Sequence, residues 1–140
     1  MEQGDTLVET PETFRGEDFR ERWTHPASHC CLARDGAGIL GGYLIKPAQS
    51  GRGSHVGNGT YVVDPAARGR GVGRALGEHS LIAARELGYQ ALQFNFVVSV
   101  NEPAVRLWKS LGFTIRGTLP QAFRHPQAGL VDAYVMHRFL

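Results

Sequence analysis

The stretch YVVDPAARGRGVGR spans residues 61–74 and joins a strand-like run to a strongly helical one. Tyr61–Val63 favour a strand, and Asp64-Pro65 stops it. The glycine-rich residues 68–73 then lead into a helix that ends at Gly88. Helical periodicity predicts one apolar face on this helix, formed by Val72, Leu76, His79, Ala83 and Leu87, with Ile82 beside it. These residues therefore predict a strand, a tight turn and a helix in succession.

A strand followed by a glycine turn and a helix N-terminus is a suitable cradle for phosphate. The first backbone N–H groups of the helix lack a helical acceptor, and the helix dipole favours an anion there. Arg68, Arg70 and Arg74 add positive charge. G-x-x-x-x-G-K-[ST] is absent and G-x-G-x-x-G is not matched, because position 74 is Arg. Taken alone, the stretch is either an anion site or a plain glycine-rich turn.

Hydrophobic periodicity on both sides of this stretch predicts the order β-β-β-α-β-α-β-β after a short helix at 16–23. The crossover between the third and fourth strands is expected to be parallel, and the closing strands antiparallel. A mixed α/β sheet with helices on its faces follows. The predicted strands cover residues 29–34, 38–46, 54–63, 91–98, 113–119 and 130–139.

A second informative stretch, NEPAVRLWKSLGF, covers residues 101–113. Asn101 is a suitable helix N-cap, and Pro103 suits the first turn. The same interpretation places Val105, Trp108 and Leu111 in the core and ends the helix at Gly112. Taken alone, this stretch is explained better by structural capping than by a functional role.

Composition and charge fit one globular domain over residues 1–140. The formal net charge of +2 gives little reason to expect nucleic acid as a partner. Seven of the 13 acidic residues fall in the first 21 positions, so residues 1–15 are expected to form an acidic N-terminal loop. Residues 22–140 hold 13 bases and six acids and thus carry +7, which suits an anionic ligand or a solvated basic surface.

Cysteine usage and the N-terminus point to a cytoplasmic protein. Cys30 and Cys31 are adjacent, which disfavours a disulfide between them, and no metal-ligand spacing is present, so we expect reduced thiols and no metal. The start lacks a secretory apolar region, and no apolar run reaches the ~18 residues that span a bilayer. We therefore expect no membrane partner.

The two stretches together resemble motifs of the GNAT (GCN5-related N-acetyltransferase) superfamily. RGRGVG at 68–73 fits [Q/R]-x-x-G-x-[G/A], and residues 101–113 resemble N-x-x-A-x-x-L-[Y/W]-x-x-x-G-F. The resemblance covers about residues 28–140. It implies an α/β (α+β) fold whose mostly antiparallel sheet is split at the acetyl-CoA strand, with helices on both faces. The usual first strand and helix are missing from the pattern, and the edge strand exposed in this way favours a homodimer.

The resemblance further implies acetyl-CoA as cosubstrate, with its pantetheine arm between the strand ending at Val63 and the strand at 91–98. Backbone groups of the first strand bind that arm and polarise the thioester carbonyl, while the glycine turn holds the pyrophosphate. Asn101 sits near the sulfur. The implied cofactor-binding residues are Tyr61, Val62, Val63, Arg68, Gly69, Arg70, Gly71, Val72, Gly73, Arg74 and Asn101.

HVGNGTYVV and FNFVVSVN are similar to segments of the fungal azetidine-2-carboxylate (proline-analogue) N-acetyltransferases and their bacterial relatives. That likeness implies that Asn58 holds a small amino-acid substrate and that backbone groups of Asn95 and Phe96 bind its carboxylate. As an alternative, Asn58 is a turn residue in a glycine-rich stretch. Asn95 lies on the less apolar face of its strand, which favours the cleft over the core.

The implied reaction is direct transfer of acetyl to a small, amino-acid-like amine within a ternary complex. Many GNAT enzymes carry a Tyr that protonates the thiolate, but Trp108 occupies that position and an indole N–H is no general acid. Asn101 donating a hydrogen bond to the sulfur is the expected substitute. The candidate bases are His55, Asp64, His125 and Asp132, and water is the alternative.

Structural alternatives remain for two of these bases: His55 is also explained as a strand residue and Asp64 as a turn former. Neither Cys30 nor Cys31 lies near a cofactor motif, which disfavours a covalent acyl-enzyme. Two other functions stay open. One is a non-catalytic CoA-binding or sensor module, and the other is a protein N-terminal acetyltransferase.

Overall fold

The computed structural model describes residues 16–36 and 38–140, and the side chains of residues 16–19 lie outside that description. The predicted acidic loop at 1–15 therefore lies outside the described residues. The elements are α1 (Gly16–Thr24), β1 (His29–Asp35), β2 (Gly38–Pro47), β3 (Val56–Val63), α2 (Val72–Glu86), β4 (Ala91–Val98), α3 (Glu102–Ser110), β5 (Thr114–His125) and β6 (Gly129–Phe139).

The strands form a six-stranded sheet in the order β1-β2-β3-β4-β6-β5. Neighbours β1 and β2, β2 and β3, and β5 and β6 are antiparallel, whereas β3 and β4 are parallel. This confirms the mixed, mostly antiparallel sheet, the parallel crossover and the antiparallel closing pair. β5 continues to His125, beyond the predicted end at 119, because a register irregularity between Leu119 and Phe123 lets the strand pass Pro120.

The described chain divides into two compact units, each with its own buried side chains. One comprises the chain up to His25 together with Phe94–His137, and the other comprises Pro26–Gln93 together with Arg138–Leu140. The single domain over residues 1–140 stays a prediction.

In the unit of Pro26–Gln93, α2 packs on β2 and β3. Its most buried residues include Tyr43, Leu44, Ile45, Ala84 and Leu92.

The buried face of α2 differs from the predicted one. Val72, Leu76 and Ala83 are buried as expected, but His79, Ile82 and Leu87 are exposed. Ser80 and Ala84 are buried in their place. The reason is that small residues four apart complete the stripe, and the Ser80 hydroxyl is satisfied by donating to the Gly77 carbonyl at 2.7 Å.

In the unit of Phe94–His137, α3 packs through Trp108 as predicted. The Trp108 ring centroid lies 4.6 Å from that of Phe94 and 5.8 Å from that of Phe113. Leu111 is buried and Val105 is half-buried. The predicted core positions of Trp108 and Leu111 are confirmed. Val105 is partly buried and lies at the margin of the core.

We expect Gly41→Ala to destabilise the fold, because a Cβ at Gly41 falls 2.5 Å from the Val62 carbonyl oxygen, which belongs to the backbone and cannot rotate away. The free energy of unfolding should fall by about 1–3 kcal/mol. Gly117→Ala is the matched control, since its Cβ lies 3.9 Å from that of Val135. It should change stability by about 0.5 kcal/mol or less. Urea unfolding measures both, and equal effects would contradict the prediction.

Candidate functional site

The two edges of β3 are paired to different extents. β2 follows β3 over seven residue pairs, from Gly41↔Val63 to Pro47↔Gly57. The parallel ladder with β4 covers three pairs and ends at Asn58↔Gln93. Among the described residues, the strand-pairing partners of Gly59–Val63 therefore lie in β2. This matches the split at the third strand that the sequence resemblance implied.

Asn58 lies where the β3–β4 ladder ends. It sits inside β3, half-buried, so the alternative of a turn residue is wrong. Its side-chain Nδ2 donates to the backbone carbonyl of Gln93 at 3.2 Å. The side chain thus links β4 to β3 just where the backbone ladder stops. The Oδ1 atom takes no part in that bond.

A short 3₁₀ helix, Pro65–Ala67, joins β3 to the glycine turn. Asp64 caps it by accepting the Ala66 N–H at 2.8 Å. The turn-former interpretation of Asp64 is therefore right, and its carboxylate is engaged. Gly69 and Gly71 follow with φ of 78° and 77°, a left-handed conformation that glycine adopts without steric cost.

The first backbone amides of α2 directly follow a glycine turn that has open space around it. The first helical hydrogen bond runs from the Ala75 N–H to the Gly71 carbonyl at 3.0 Å, so the amides of Val72, Gly73 and Arg74 precede it. The N-cap Gly71 has no side chain to occupy them. A Cβ at Gly69 or Gly71 would meet no heavy atom within 4 Å. The turn has the room and the donors that a pyrophosphate needs.

Two of the three arginines expected to add charge have carboxylate partners. Arg70 Nη2 lies 2.6 Å from Asp35 Oδ2, and Arg74 Nη1 lies 3.6 Å from Glu78 Oε1. All four side chains are half exposed or more, so these pairs are screened and contribute little stability. They do offset the positive charge at the turn. Backbone amides and the helix dipole are therefore its main attraction for an anion.

Two hydrogen bonds that sequence reasoning missed fasten the sheet to α2. The Tyr61 hydroxyl lies 2.7 Å from Ser80 Oγ, and the hydroxyl of the fully buried Tyr43 lies 2.8 Å from His79 Nδ1. The two tyrosine rings are neighbours, 5.8 Å apart. The only signal in the sequence was the occurrence of polar residues on the apolar side of α2.

Burial perturbs both phenols in the same direction. It raises the pKa of Tyr61 to about 12, although the hydrogen bond with Ser80 lowers it. Burial, followed by the neighbouring Cys31 thiol, raises the pKa of Tyr43 above its ordinary value. Both side chains stay protonated at neutral pH and act as packing and hydrogen-bonding groups.

The unit of Phe94–His137 holds the other predicted site residues. Asn101 caps α3, since its Oδ1 accepts the Ala104 N–H at 3.4 Å. The capping interpretation is right, and it leaves Nδ2 as a donor. Asn95 is exposed, and the half-buried Phe96 has its ring 6.2 Å from that of Phe123. Asn95, Phe96 and Asn101 thus belong to one unit, and the glycine turn, Tyr61–Val63 and Asn58 belong to the other.

The remaining candidate bases mostly hold backbone. His125 Nδ1 accepts the N–H groups of Gln127 and Ala128 at 3.2 and 3.1 Å. Asp132 Oδ1 accepts the Gln121 N–H at 2.9 Å. His55 is exposed and precedes β3 instead of lying in it, so the strand interpretation of His55 is wrong. With Asp64, three of the four candidates accept a backbone N–H group through their side chains.

We expect stability to decline in alkali through Tyr61. Because its folded pKa of about 12 exceeds the ordinary value of 10.0, the folded state holds its proton more tightly. That contribution is complete below pH 10.0 and is lost as pH rises toward about 12. In Tyr61→Phe, the free energy of unfolding, measured with urea, should depend less on pH across this range than it does in the wild type. An unchanged slope in that variant would contradict the assignment.

Comparisons with known proteins agree with this geometry. The Acetyltransferase (GNAT) family matches residues 3–113. The chain is 40% identical over 98 residues to N-acetyltransferase aca1 of Schizosaccharomyces pombe, covering 69% of this chain and 47% of that protein. It is 36% identical over 120 residues to a mycothiol acetyltransferase of Propionibacterium freudenreichii, which covers 80% of this chain and 38% of that protein. The chain thus spans less than half the length of these curated relatives.

A solved structure extends the likeness to nearly the whole chain. A GCN5-related N-acetyltransferase from Kribbella flavida is 44% identical with a TM-score of 0.91, covering 98% of this chain and 83% of that one. Of the helices in the described part of the chain, none combines the length and apolar character needed to cross a membrane. Motifs, sheet and relatives agree, and the chain belongs to the Acetyltransferase (GNAT) family.

Proposed function

We propose that this chain transfers the acetyl group of acetyl-CoA to an amine of a small, amino-acid-like molecule, directly and within a ternary complex. The observation that carries the proposal is the glycine turn, where Gly69 and Gly71 are left-handed, have open space at the Cβ position and lead directly into the first turn of α2. Family membership supplies the reaction class.

Backbone groups do most of the cofactor binding in this proposal. The amides of Val72, Gly73 and Arg74 hold the pyrophosphate at the start of α2. Those of Arg68 and Arg70 already donate to the Pro65 and Ala67 carbonyls. The edge of β3 at Tyr61–Val63, beyond the end of the β4 ladder, takes the pantetheine arm. The same edge polarises the thioester carbonyl, because fixed N–H groups stabilise the charge that develops on its oxygen.

Acetyl-CoA supplies an activated thioester: the amine nitrogen bonds to the acetyl carbon, the C–S bond breaks, the nitrogen loses a proton to water and the thiolate gains one. The Asn101 Nδ2 donates a hydrogen bond to the departing sulfur, while Oδ1 keeps capping α3. Trp108 is buried against Phe94 and is not the acid. Cys30 and Cys31 lie on β1, which β2 separates from β3, and this position disfavours an acyl-enzyme.

The acceptor is held away from the glycine turn, by the Asn58 side chain and by backbone groups of β4. The Nδ2 atom of Asn58 donates to the Gln93 carbonyl. Its Oδ1 atom accepts a hydrogen bond from the amine or ammonium group of the small molecule. Backbone groups of Asn95 and Phe96 bind its carboxylate. Asn95 is exposed in β4, which favours contact with a ligand over a core role.

A homodimer and a cytoplasmic location remain part of the proposal. Support for the first is the position of β1 at one end of the strand order formed by the described residues. Support for the second is the pair of adjacent thiols, which suit a reducing compartment.

Isothermal titration with acetyl-CoA tests the cofactor site. We expect Gly71→Glu to abolish binding, because the carboxylate enters the cradle and repels the pyrophosphate. Gly88→Glu is the matched control: Gly88 has φ of 87° and equal room for a Cβ, but lies beyond the other end of α2. It should bind as the wild type does. Loss of binding in both variants, or no binding by the folded wild type, would refute the proposed cradle.

An assay of thiol release with a panel of proline analogues, amino acids and a short peptide tests transfer. Binding without transfer across the panel would favour a CoA-binding module, and transfer to the peptide alone would favour protein N-terminal acetylation.

Asn101→Asp separates capping from catalysis. Asp is as good an N-cap as Asn, so the thermal midpoint should be close to wild type. It lacks the N–H donor and places a negative charge near the thiolate, so we expect kcat to fall at least tenfold, equivalent to about 1.4 kcal/mol. Asn101→Ala should lower both stability and kcat, with acetyl-CoA affinity less affected. An Asp variant with wild-type kcat would exclude the thiolate role.

A further inference from the structure

Asp132 on β6 faces an irregular segment of β5. The pairing passes from Leu119↔Ala133 to Phe123↔Val131, so three residues of β5, 120–122, stand opposite this one residue. Gln121 in that bulge has φ of 51°, the one positive value of a non-glycine residue in the described ranges 16–36 and 38–140. A left-handed backbone is unfavourable for a residue with a Cβ, so neighbouring groups must hold it.

The two oxygens that Asp132 offers hold segments on opposite sides of β6. Its carboxylate Oδ1 accepts the Gln121 N–H at 2.9 Å. Its backbone carbonyl accepts the Ser99 N–H at 2.9 Å, just after β4. Ser99 opens the turn that leads to Asn101, whose own N–H donates to Val98 at 3.0 Å. One residue therefore connects the β5 bulge with the turn that presents Asn101.

We propose that Asp132 is a positioning residue that fixes Asn101 through the β5 bulge and the Ser99 turn, and that it carries no proton in the reaction. The catalytic part rests on the proposed function of Asn101. Since β6 lies between β4 and β5, releasing the bulge shifts the point on β6 to which Ser99 is bonded. A small displacement of a group at the reacting atoms is enough to slow transfer strongly.

Asp132→Asn and Asp132→Ala distinguish positioning from proton transfer. Asn keeps an acceptor oxygen of the same shape and removes the carboxylate base, so kcat should stay within about twofold of wild type with an unchanged pH profile. Ala removes the acceptor, and kcat should fall roughly tenfold or more, while the KM for acetyl-CoA changes little. An Asn variant as slow as the Ala variant would make Asp132 a base and overturn the proposal.

A second substitution tests the route through the bulge. Glycine adopts φ near 51° without steric cost, so Gln121→Gly in the Asp132→Ala background should recover part of the lost kcat. Thr114→Val is the control, because it removes another bond between β5 and β6, from Thr114 Oγ1 to the His137 carbonyl at 3.4 Å. It should leave kcat unchanged. No recovery in the double variant would overturn the route.

Amide NMR of the protein without acetyl-CoA gives a readout independent of activity. Asp132→Ala should speed hydrogen exchange at Ser99 and Gln121 and shift the Asn101 amide signal, whereas Asp132→Asn should do neither. If Asn101 is unmoved in the Ala variant, the positioning role is wrong, even where acetyl transfer is observed. If the shifts appear but the wild type transfers acetyl to no amine, the proposed function fails and the link between Asp132 and Asn101 stands.

Discussion

The early end of the β3–β4 ladder is the constraint on which the proposed cofactor site depends. A ladder running the length of both strands would consume one whole edge of β3 in sheet pairing, because backbone groups in a sheet are nearly all bonded. Here it stops at Asn58↔Gln93. The Asn58 side chain bonds the Gln93 carbonyl at that point, so this acceptor is satisfied where the ladder stops. In the proposed function, the pantetheine arm binds along β3 beyond the last residue pair of that ladder.

The glycine turn depends on that edge being held still. Tyr61 reaches from β3 to Ser80 on α2, and Tyr43 reaches from β2 to His79 one residue earlier on the helix. These bonds fix the helix that carries the cradle amides on the strand proposed to bind the pantetheine arm. A ligand that contacts both then meets a preformed arrangement and loses less free energy in ordering it. The raised pKa of Tyr61 is a by-product of this buried position.

Local patterns predicted the parts of the fold that local chemistry controls. β4 was predicted with its observed ends, the Asn101 cap follows from a side chain and an amide three residues apart, and Trp108 was placed in the core by helical spacing. Bonds between residues distant in the sequence could not be predicted, because nothing in the sequence marks Tyr43 as a partner of His79 or Asp35 as a partner of Arg70. The β5 bulge was missed for a related reason: its support comes from Asp132 on the next strand.

The same contrast separates general from specific recognition in the proposed site. Gly69, Gly71 and the β3 edge would bind acetyl-CoA through backbone groups, whose positions depend on conformation and on few side chains. Contact with the acceptor amine and with the departing sulfur would rest instead on two side-chain amides. Asn58 has one amide atom engaged in the sheet, and Asn101 has one engaged in its helix cap. Each amide thereby has its orientation set by the fold, so its remaining atom is aimed without a further loss of rotamer entropy. In the proposed site, the orientation of the Asn58 and Asn101 amides therefore depends on the same hydrogen bonds that hold the sheet and the helix cap.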